Sequence, residues 1–201
     1  MREYLGPMKD PLMSTARLEA FSDGVMAIII TLMAFEVKRP EGTDLQALSE
    51  ILPTLLVFIL SFVLIGTYWN NHHHLLSAAK SVTPAIMWAN LHLLLWLCLV
   101  PIGTAWVGAH YSDPLPAATY SAICLLAAWA YWLLTRAIIA ADRPDSEIKR
   151  AIGGDLKGNL SVVAYAAGVP LAFVSPFITY ALCAGVLVSW LIPDRRLTSG
   201  P

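Results

Sequence analysis

Polar side chains that could do chemistry lie inside or beside long apolar stretches of this sequence. Asp23 follows Arg17 by six positions, and the triplet His72-His73-His74 closes another apolar run. Ionisable groups in such segments are costly, so each is expected to face protein and to have a partner. Asp23 could instead be an acid at a helix start, where the helix dipole favours negative charge. We favour a buried polar cluster, because other polar groups are available to it. These are Ser22, Asn70, Asn71, His72, His73, Asn90 and His92.

The three consecutive histidines form a poor metal site on a helix. Successive helical residues point about 100° apart, whereas metal-binding histidine pairs sit at positions i and i+4. We therefore favour His72 or His73 as a hydrogen-bond partner of Asp23, and we expect neither a bound metal nor a cofactor. The sequence also lacks a Ser-His-Asp set, a Gly-rich phosphate loop, an H-E-x-x-H motif and a paired-carboxylate set, which argues against an enzyme.

One stripe of residues runs along the segment that contains Asp23. Its members recur at steps of three and four, which places them on one face of a helix. They are Arg17, Phe21, Gly24, Ile28, Thr31 or Leu32, and Phe35. Ordinary helix packing would produce the same stripe, with Gly24 permitting close approach of a neighbouring helix.

The elements that position these residues are predicted to be membrane-spanning helices. Hydrophobic residues make up 57% of the chain and charged residues only 13%, against about 25% charged residues in a typical soluble domain. Four blocks carry no Asp, Glu, Lys or Arg: 51–69, 84–107, 114–135 and 160–192. A helix needs roughly 20 apolar residues to cross the hydrocarbon core, and backbone groups in lipid must be paired internally, so these blocks should be helices. The last block is long enough for two short spans, divided near Pro170, Ser175 and Pro176.

The sequence thus predicts an all-α integral membrane protein with six transmembrane helices. The predicted spans are about 17–37, 50–70, 84–107, 115–140, 158–174 and 176–192, between a cytoplasmic lead (1–16) and a cytoplasmic tail (193–201). Lys and Arg are concentrated in the lead, the tail and the connection around 136–157, which places both termini in the cytoplasm. The net charge of −1 and the absence of a basic run give no indication of nucleic-acid binding.

The first segment resembles the transmembrane protein 175 family of endosomal and lysosomal potassium channels and their prokaryotic relatives. The residues that carry the resemblance are Arg17-x-x-x-Phe21-Ser22-Asp23-Gly24, followed by Ala27-Ile28-x-Ile30-Thr31-Leu32. Further matches follow in order: Trp69-x-x-His72-His73, Trp88-x-Asn90 and Pro101-x-x-Thr104. The resemblance covers about residues 17–107. Phe35 departs from the branched aliphatic residue that is common at its position, and Met26 from the usual Phe.

The resemblance implies a homotetramer of six-helix units with a central pore lined by the first helix. Potassium ions would be the permeant species, membrane lipids the surroundings, and a bacterial plasma membrane the location. The implied pore and gate residues are Ile28, Thr31, Leu32 and Phe35. The implied structural motif is Arg17, Phe21, Ser22, Asp23 and Gly24, packed against Trp69, His72, His73 and Asn90. The potassium-filter sequence Thr-Val-Gly-Tyr-Gly is absent, so apolar rings and a threonine ring would replace carbonyl groups and give modest selectivity over sodium.

The main rival interpretation is a proton-coupled secondary transporter. Acids inside spans often mark proton paths, and Asp23 with the histidines could form a relay. Helices broken near mid-membrane would support this alternative, and Pro170 is the one candidate that the sequence analysis identifies. A third interpretation is a membrane enzyme or scaffold with metal bound at His72 to His74.

Overall fold

The computed structural model describes residues 14–37, 39–141 and 156–191, and every regular element in those ranges is an α-helix. The helices are α1 (Thr15–Glu36), α2 (Leu45–Ala78), α3 (Pro84–Cys98), α4 (Val100–Ala109), α5 (Pro114–Ala141), α6 (Leu156–Leu171) and α7 (Pro176–Leu191). The predicted all-α fold is confirmed. Most of the predicted lead, the tail and the charged connection at 142–155 lie outside the described residues.

Four helical stretches are long and apolar enough to cross a membrane, as judged by length and composition. They are Thr15–Glu36, Leu45–Ala78, Pro84–Ala109 and Pro114–Ala141. α7 is a shorter apolar helix, and α6 has the same length of 16 residues. The long apolar block at the C-terminal end is thus divided into two helices, with the turn just before Pro176.

Side-chain caps fix where the first helices begin. Ser14 Oγ accepts from the backbone N–H of Arg17 at 3.4 Å, and Asp44 Oδ1 accepts from that of Ala47 at 2.9 Å. Thr83 caps α3 in the same way, with Pro84 at the first helical position, where its missing N–H is not needed.

α2 is longer than the predicted span of 50–70 at both ends. It starts at Leu45 because Asp44 caps it, and its polar C-terminal part stays helical through Ala78. There Asn71 Nδ2 donates to the carbonyl of Thr67 at 2.9 Å. Its 34 residues measure about 51 Å at 1.5 Å per residue, more than the roughly 30 Å hydrocarbon core.

The third predicted span contains a break that the sequence analysis did not anticipate. α3 ends at Cys98 and α4 starts at Val100, with Leu99 between them. Pro101 explains the break, because it has no N–H to donate to the preceding turn and its ring crowds that turn.

α3 and α4 lie between α1 and α5 in the packing of the bundle. α1 packs on α2, α3 and α4, while α5 packs against α3, α4, α6 and α7. One apolar core runs through the bundle, and its largest fully buried side chains include Tyr120, Met26, Met33 and Ile65. α1 therefore lies at the side of the subunit, with one face left uncovered.

Candidate functional site

The uncovered face of α1 carries the predicted stripe. Ile28, Leu32 and Phe35 are 60%, 52% and 81% exposed in the single subunit. Thr31 is also exposed, and its hydroxyl donates to the carbonyl of Ala27 at 2.8 Å. Because the hydroxyl proton is used within the helix, the lone pairs of the Thr31 oxygen remain available to an outside group.

The opposite face of α1 anchors the helix in the bundle. Leu18, Met26, Ile29 and Met33 are all buried in the apolar core. Ile29 and Met33 are 2% and 0% exposed, although they adjoin the exposed Ile28 and Leu32 in sequence. α1 is thus fixed in rotation, and the stripe residues share one outward-facing side.

A chain of hydrogen bonds joins α1, α2 and α3 beneath this stripe. His72 Nε2 donates to Asn90 Oδ1 at 2.6 Å, and Asn90 Nδ2 donates to Ser22 Oγ at 2.9 Å. Ser22 Oγ then donates to the carbonyl of Leu18 at 2.9 Å. All three side chains are fully buried, so water cannot substitute for these bonds.

Asp23 lies beside this chain without joining it. It is half-buried, and its Oδ1 is enclosed without a hydrogen-bond partner among the described residues. The same holds for Nδ1 of His72, which is within electrostatic range of Asp23. The structure therefore places Asp23 near His72, its predicted partner, but shows no hydrogen bond between the two side chains. The residue of α1 that contacts Asn90 directly is Ser22.

Glu19 is a polar residue of α1 that the sequence analysis did not single out. Its Oε1 contacts Nδ1 of His73 on α2, next to the buried chain. The signal in the sequence was its position, one helical turn before Asp23. Three other members of the predicted motif, Arg17, Phe21 and Trp69, have exposed side chains in the single subunit.

Gly24 lies on the exposed face of α1 with free space around it. A Cβ added there would meet no atom within 4 Å. No helix of the same subunit, within the described residues, makes use of the close approach that this glycine permits.

A second buried cluster ties the C-terminal half of α1 to the rest of the bundle. Thr104 Oγ1 lies 2.6 Å from Ser61 Oγ, which is 2.9 Å from the hydroxyl of Tyr120. Thr104 also lies 3.8 Å from the sulfur of Met33 and contacts the carbonyl of Val100 at 2.8 Å. The cluster joins α2, α4 and α5 behind Met33. In the sequence, only the motif Pro101-x-x-Thr104 indicated it.

Metal binding at the histidines receives no support from the geometry. In the ranges 14–37, 39–141 and 156–191, no group of three His, Cys, Asp or Glu side chains could hold a metal ion. Nε2 of His72 and Nδ1 of His73 point to Asn90 and Glu19 respectively.

Comparison with known proteins identifies one family. A family model described as "Endosomal/lysosomal potassium channel TMEM175" matches residues 17–101. A potassium channel of Chryseobacterium sp. (strain P1-3) is 45% identical over 185 residues, which cover 92% of this chain and 96% of that protein. A potassium channel of Streptomyces collinus is 35% identical over 180 residues, covering 83% and 86%.

A solved structure agrees with these sequence matches. The crystal structure of a lysosomal potassium-selective channel TMEM175 homolog from Chamaesiphon minutus superposes with a TM-score of 0.74 at 28% identity. The match covers 90% of this chain and 97% of that chain. The family resemblance predicted from residues 17–107 is confirmed.

Proposed function

The chain belongs to the family of the endosomal/lysosomal potassium channel TMEM175, and from this premise we propose that it is a potassium-permeable cation channel. The proposed assembly is a homotetramer, with α1 of each subunit around a central pore. Potassium is the permeant ion, and the proposal includes no cofactor, no resident metal and no enzymatic activity.

The observation that carries this proposal is the division of α1 into a buried face and an exposed face. The other face of α1 is left by its own subunit to contact another copy of the chain or to line a pore. Gly24 supports contact with another copy, since the room around it is open and small residues permit close helix packing. Four copies arranged with these faces inward would line a pore.

The chemistry along the stripe supports weak selectivity. Ile28 offers no oxygen to a dehydrating cation, so a tight ring of four would exclude water and current together. Thr31 lies about 4.5 Å further along the axis. It offers a hydroxyl oxygen whose proton already forms a hydrogen bond to the carbonyl of Ala27. One such ring replaces little of the hydration shell, so we propose modest preference for potassium over sodium.

Leu32 and Phe35 complete the proposed pore lining towards the outer end. The other motif residues are proposed to hold α1 in place: Arg17, Phe21, Ser22, Asp23, Gly24, Trp69, His72, His73 and Asn90. The protein is a multi-pass membrane protein; a bacterial plasma membrane location and cytoplasmic termini are part of the proposal.

Single-channel recording in planar bilayers tests the function directly. We expect unitary currents in potassium solutions that shrink, without vanishing, when sodium replaces potassium. A saturating flux without unitary events, coupled to a proton gradient, would overturn the channel and favour the transporter that uses Asp23 and the histidines as a relay. The specific observation behind that second candidate is a pair of buried atoms, Asp23 Oδ1 and His72 Nδ1, that have no hydrogen-bond partner among the described residues.

A further inference from the structure

A cleft separate from α1 lies between four other helices of the subunit. Its volume is about 40 Å³ and it opens to the surroundings at its mouth, so it is a narrow groove rather than a deep small-molecule cavity. α2 contributes Thr67 and Tyr68, α5 contributes Tyr131 and Trp132, and α6 and α7 contribute the remaining wall. None of the pore-stripe residues lines it, so its occupant is independent of the ion path.

Several polar groups in the wall of this cleft are already hydrogen-bonded. Trp190 Nε1 donates to Ser161 Oγ at 2.9 Å, and Ser161 Oγ donates to the carbonyl of Lys157 at 2.7 Å. Asn71 Nδ2 and the hydroxyl of Thr67 are used within α2. A ligand thus meets mostly aromatic and aliphatic surface, which suits a hydrocarbon chain.

Positive charge stands at one end of the same cleft. The guanidinium carbon of Arg136 lies 5.0 Å from the ring centroid of Trp132, which lines the cleft. This distance is in the range of a cation–π contact, which holds the side chain over the indole. Arg136 is exposed and is paired with no carboxylate of the described residues, so its N–H groups are available to an anion.

The position of Arg136 near the end of a long apolar helix predicts that this charge lies near a membrane surface. Arg136 lies near the C-terminal end of α5, and the cleft is also lined by Gly158 near the start of α6 and Trp190 near the end of α7. Basic pockets between transmembrane helices at this level are the usual binding sites of anionic lipid head groups. Trp132 and Trp190 are the kind of aromatic residue that is enriched at the interface.

We propose that the cleft between α2, α5, α6 and α7 binds an acyl chain of an anionic membrane phospholipid, with its phosphate on Arg136. The chain lies along Tyr68, Tyr131 and Tyr165, and the guanidinium supplies charge-assisted hydrogen bonds to the phosphate oxygens. The site is built within one subunit, so its occupancy does not depend on the proposed pore.

Native mass spectrometry of the purified, delipidated protein tests this site. The protein is incubated in mild detergent with phosphatidylglycerol, with phosphatidylcholine of the same chains, or with oleate. We expect one phosphatidylglycerol per subunit to be retained, in preference to both other lipids. Equal retention of phosphatidylcholine, stronger retention of oleate, or no retained lipid would each overturn the proposal.

Two substitutions test the binding of the acyl chain and the binding of the head group independently. Ala128 lines the cleft, so Ala128→Phe should fill it and abolish retention, whereas Ala140→Phe, at an exposed position of the same helix, should not. Arg136→Gln should reduce the preference for phosphatidylglycerol over phosphatidylcholine by about tenfold, the effect of losing one charge-assisted contact. Arg39→Gln, which removes an exposed charge far along the chain, is the matched control.

A photo-crosslink gives a measurement that does not depend on any variant folding. Phosphatidylglycerol with a diazirine in its acyl chain should label peptides that contain residues 64–71 or 128–132. Labelling confined to other helices would overturn the proposal even if a lipid is retained.

Discussion

His72 donates from Nε2 to Oδ1 of Asn90 at 2.6 Å, across the interface between α2 and α3. An amide oxygen can only accept, so the proton of the imidazole is fixed on Nε2. The amide nitrogen of Asn90 must then donate, which it does to Ser22 on α1. Asn90 therefore connects α1 with both α2 and α3.

Replacing Asn90 should destabilise the bundle more than its size suggests. Asn90→Leu leaves Nε2 of His72 buried without a partner, at about 1–3 kcal/mol for the unsatisfied group, and removes one of the two hydrogen bonds of Ser22 Oγ. We expect a clear fall in the midpoint of thermal unfolding, followed by tryptophan fluorescence in detergent. Asn70→Leu makes the same change at an exposed position and should leave the midpoint nearly unchanged. Equal midpoints for the two variants would contradict the importance of this chain.

The helices could be predicted from the sequence because lipid leaves few alternatives for apolar blocks of this length. Unpaired backbone groups are costly there, so the charge-free runs at 51–69 and 114–135 had to be helical. The break at Leu99 is a local effect of Pro101, and a proline inside a predicted span is a visible sign of such a break. Helix ends were less predictable, since α2 depends on a cap at Asp44 and on back-bonding by Asn71.

The candidate site was predictable only in part, because the spacing of residues along one helix does not determine which side chains of two different helices come into contact. The stripe on α1 follows from a period of three and four, and its residues do share an exposed face. Which of Ser22 or Asp23 reaches Asn90 depends on the rotation of α1 against α3. The contact of Glu19 with His73 depends in the same way on how α1 lies against α2. Neither rotation can be obtained from one sequence.

Close packing of α6 against α5 predicts opposite results for two glycines. A Cβ at Gly168 would lie 2.4 Å from Ser121 Oγ, which donates to the carbonyl of Tyr165, so Gly168→Ala must displace a bonded side chain. We expect destabilisation of about 1–3 kcal/mol, as for other overpacked cores. Gly185→Ala meets nothing within 4 Å and should be neutral or slightly stabilising, since alanine favours helix. Unfolding midpoints in one detergent compare the two; a stable Gly168→Ala would show that α6 can shift freely.

Asp23 should be structural rather than ion-coordinating. Its Oδ1 is enclosed without a hydrogen-bond partner among the described residues of the single subunit, so we expect the assembled protein to supply one. Asp23→Ala should therefore lower the tetramer yield and thermal stability, as measured by size exclusion with light scattering. Glu36→Ala removes an exposed acid at the other end of α1 and should change neither. If Asp23→Ala assembles normally but alters selectivity, the residue belongs to the ion path.

Cysteine labelling tests which face of α1 lines the pore. Single cysteines at positions 28, 31 and 35 should react with aqueous thiol reagents in open channels. Cysteines at 29 and 33 should not, because Ile29 and Met33 are buried in the core of the subunit. The native residues Cys98, Cys124 and Cys183 are replaced by alanine beforehand. Equal labelling at all five positions would remove the basis for a pore-lining stripe.

The gate is expected at Ile28, and a pair of substitutions separates its role from that of Thr31. Both residues lie on the exposed face of α1, about one turn apart. Ile28→Asn places a polar amide in the proposed apolar ring, which should let water in, raise the single-channel current and weaken potassium preference only partly. Thr31→Val keeps nearly the same shape but removes the oxygen that could replace hydration water. Selectivity should then fall by severalfold, while the tetramer yield stays the same.

Bi-ionic reversal potentials measure the selectivity of both variants, and unitary conductance measures the wetting of the ring. Ile30→Asn, at a partly buried position about 200° around the helix from Ile28, is the control for the introduction of a polar group into α1. If Ile28→Asn leaves the conductance at the level of the unmodified protein, the constriction lies elsewhere. Phe35, the most exposed of the large apolar residues in the stripe, would then be the next position to test.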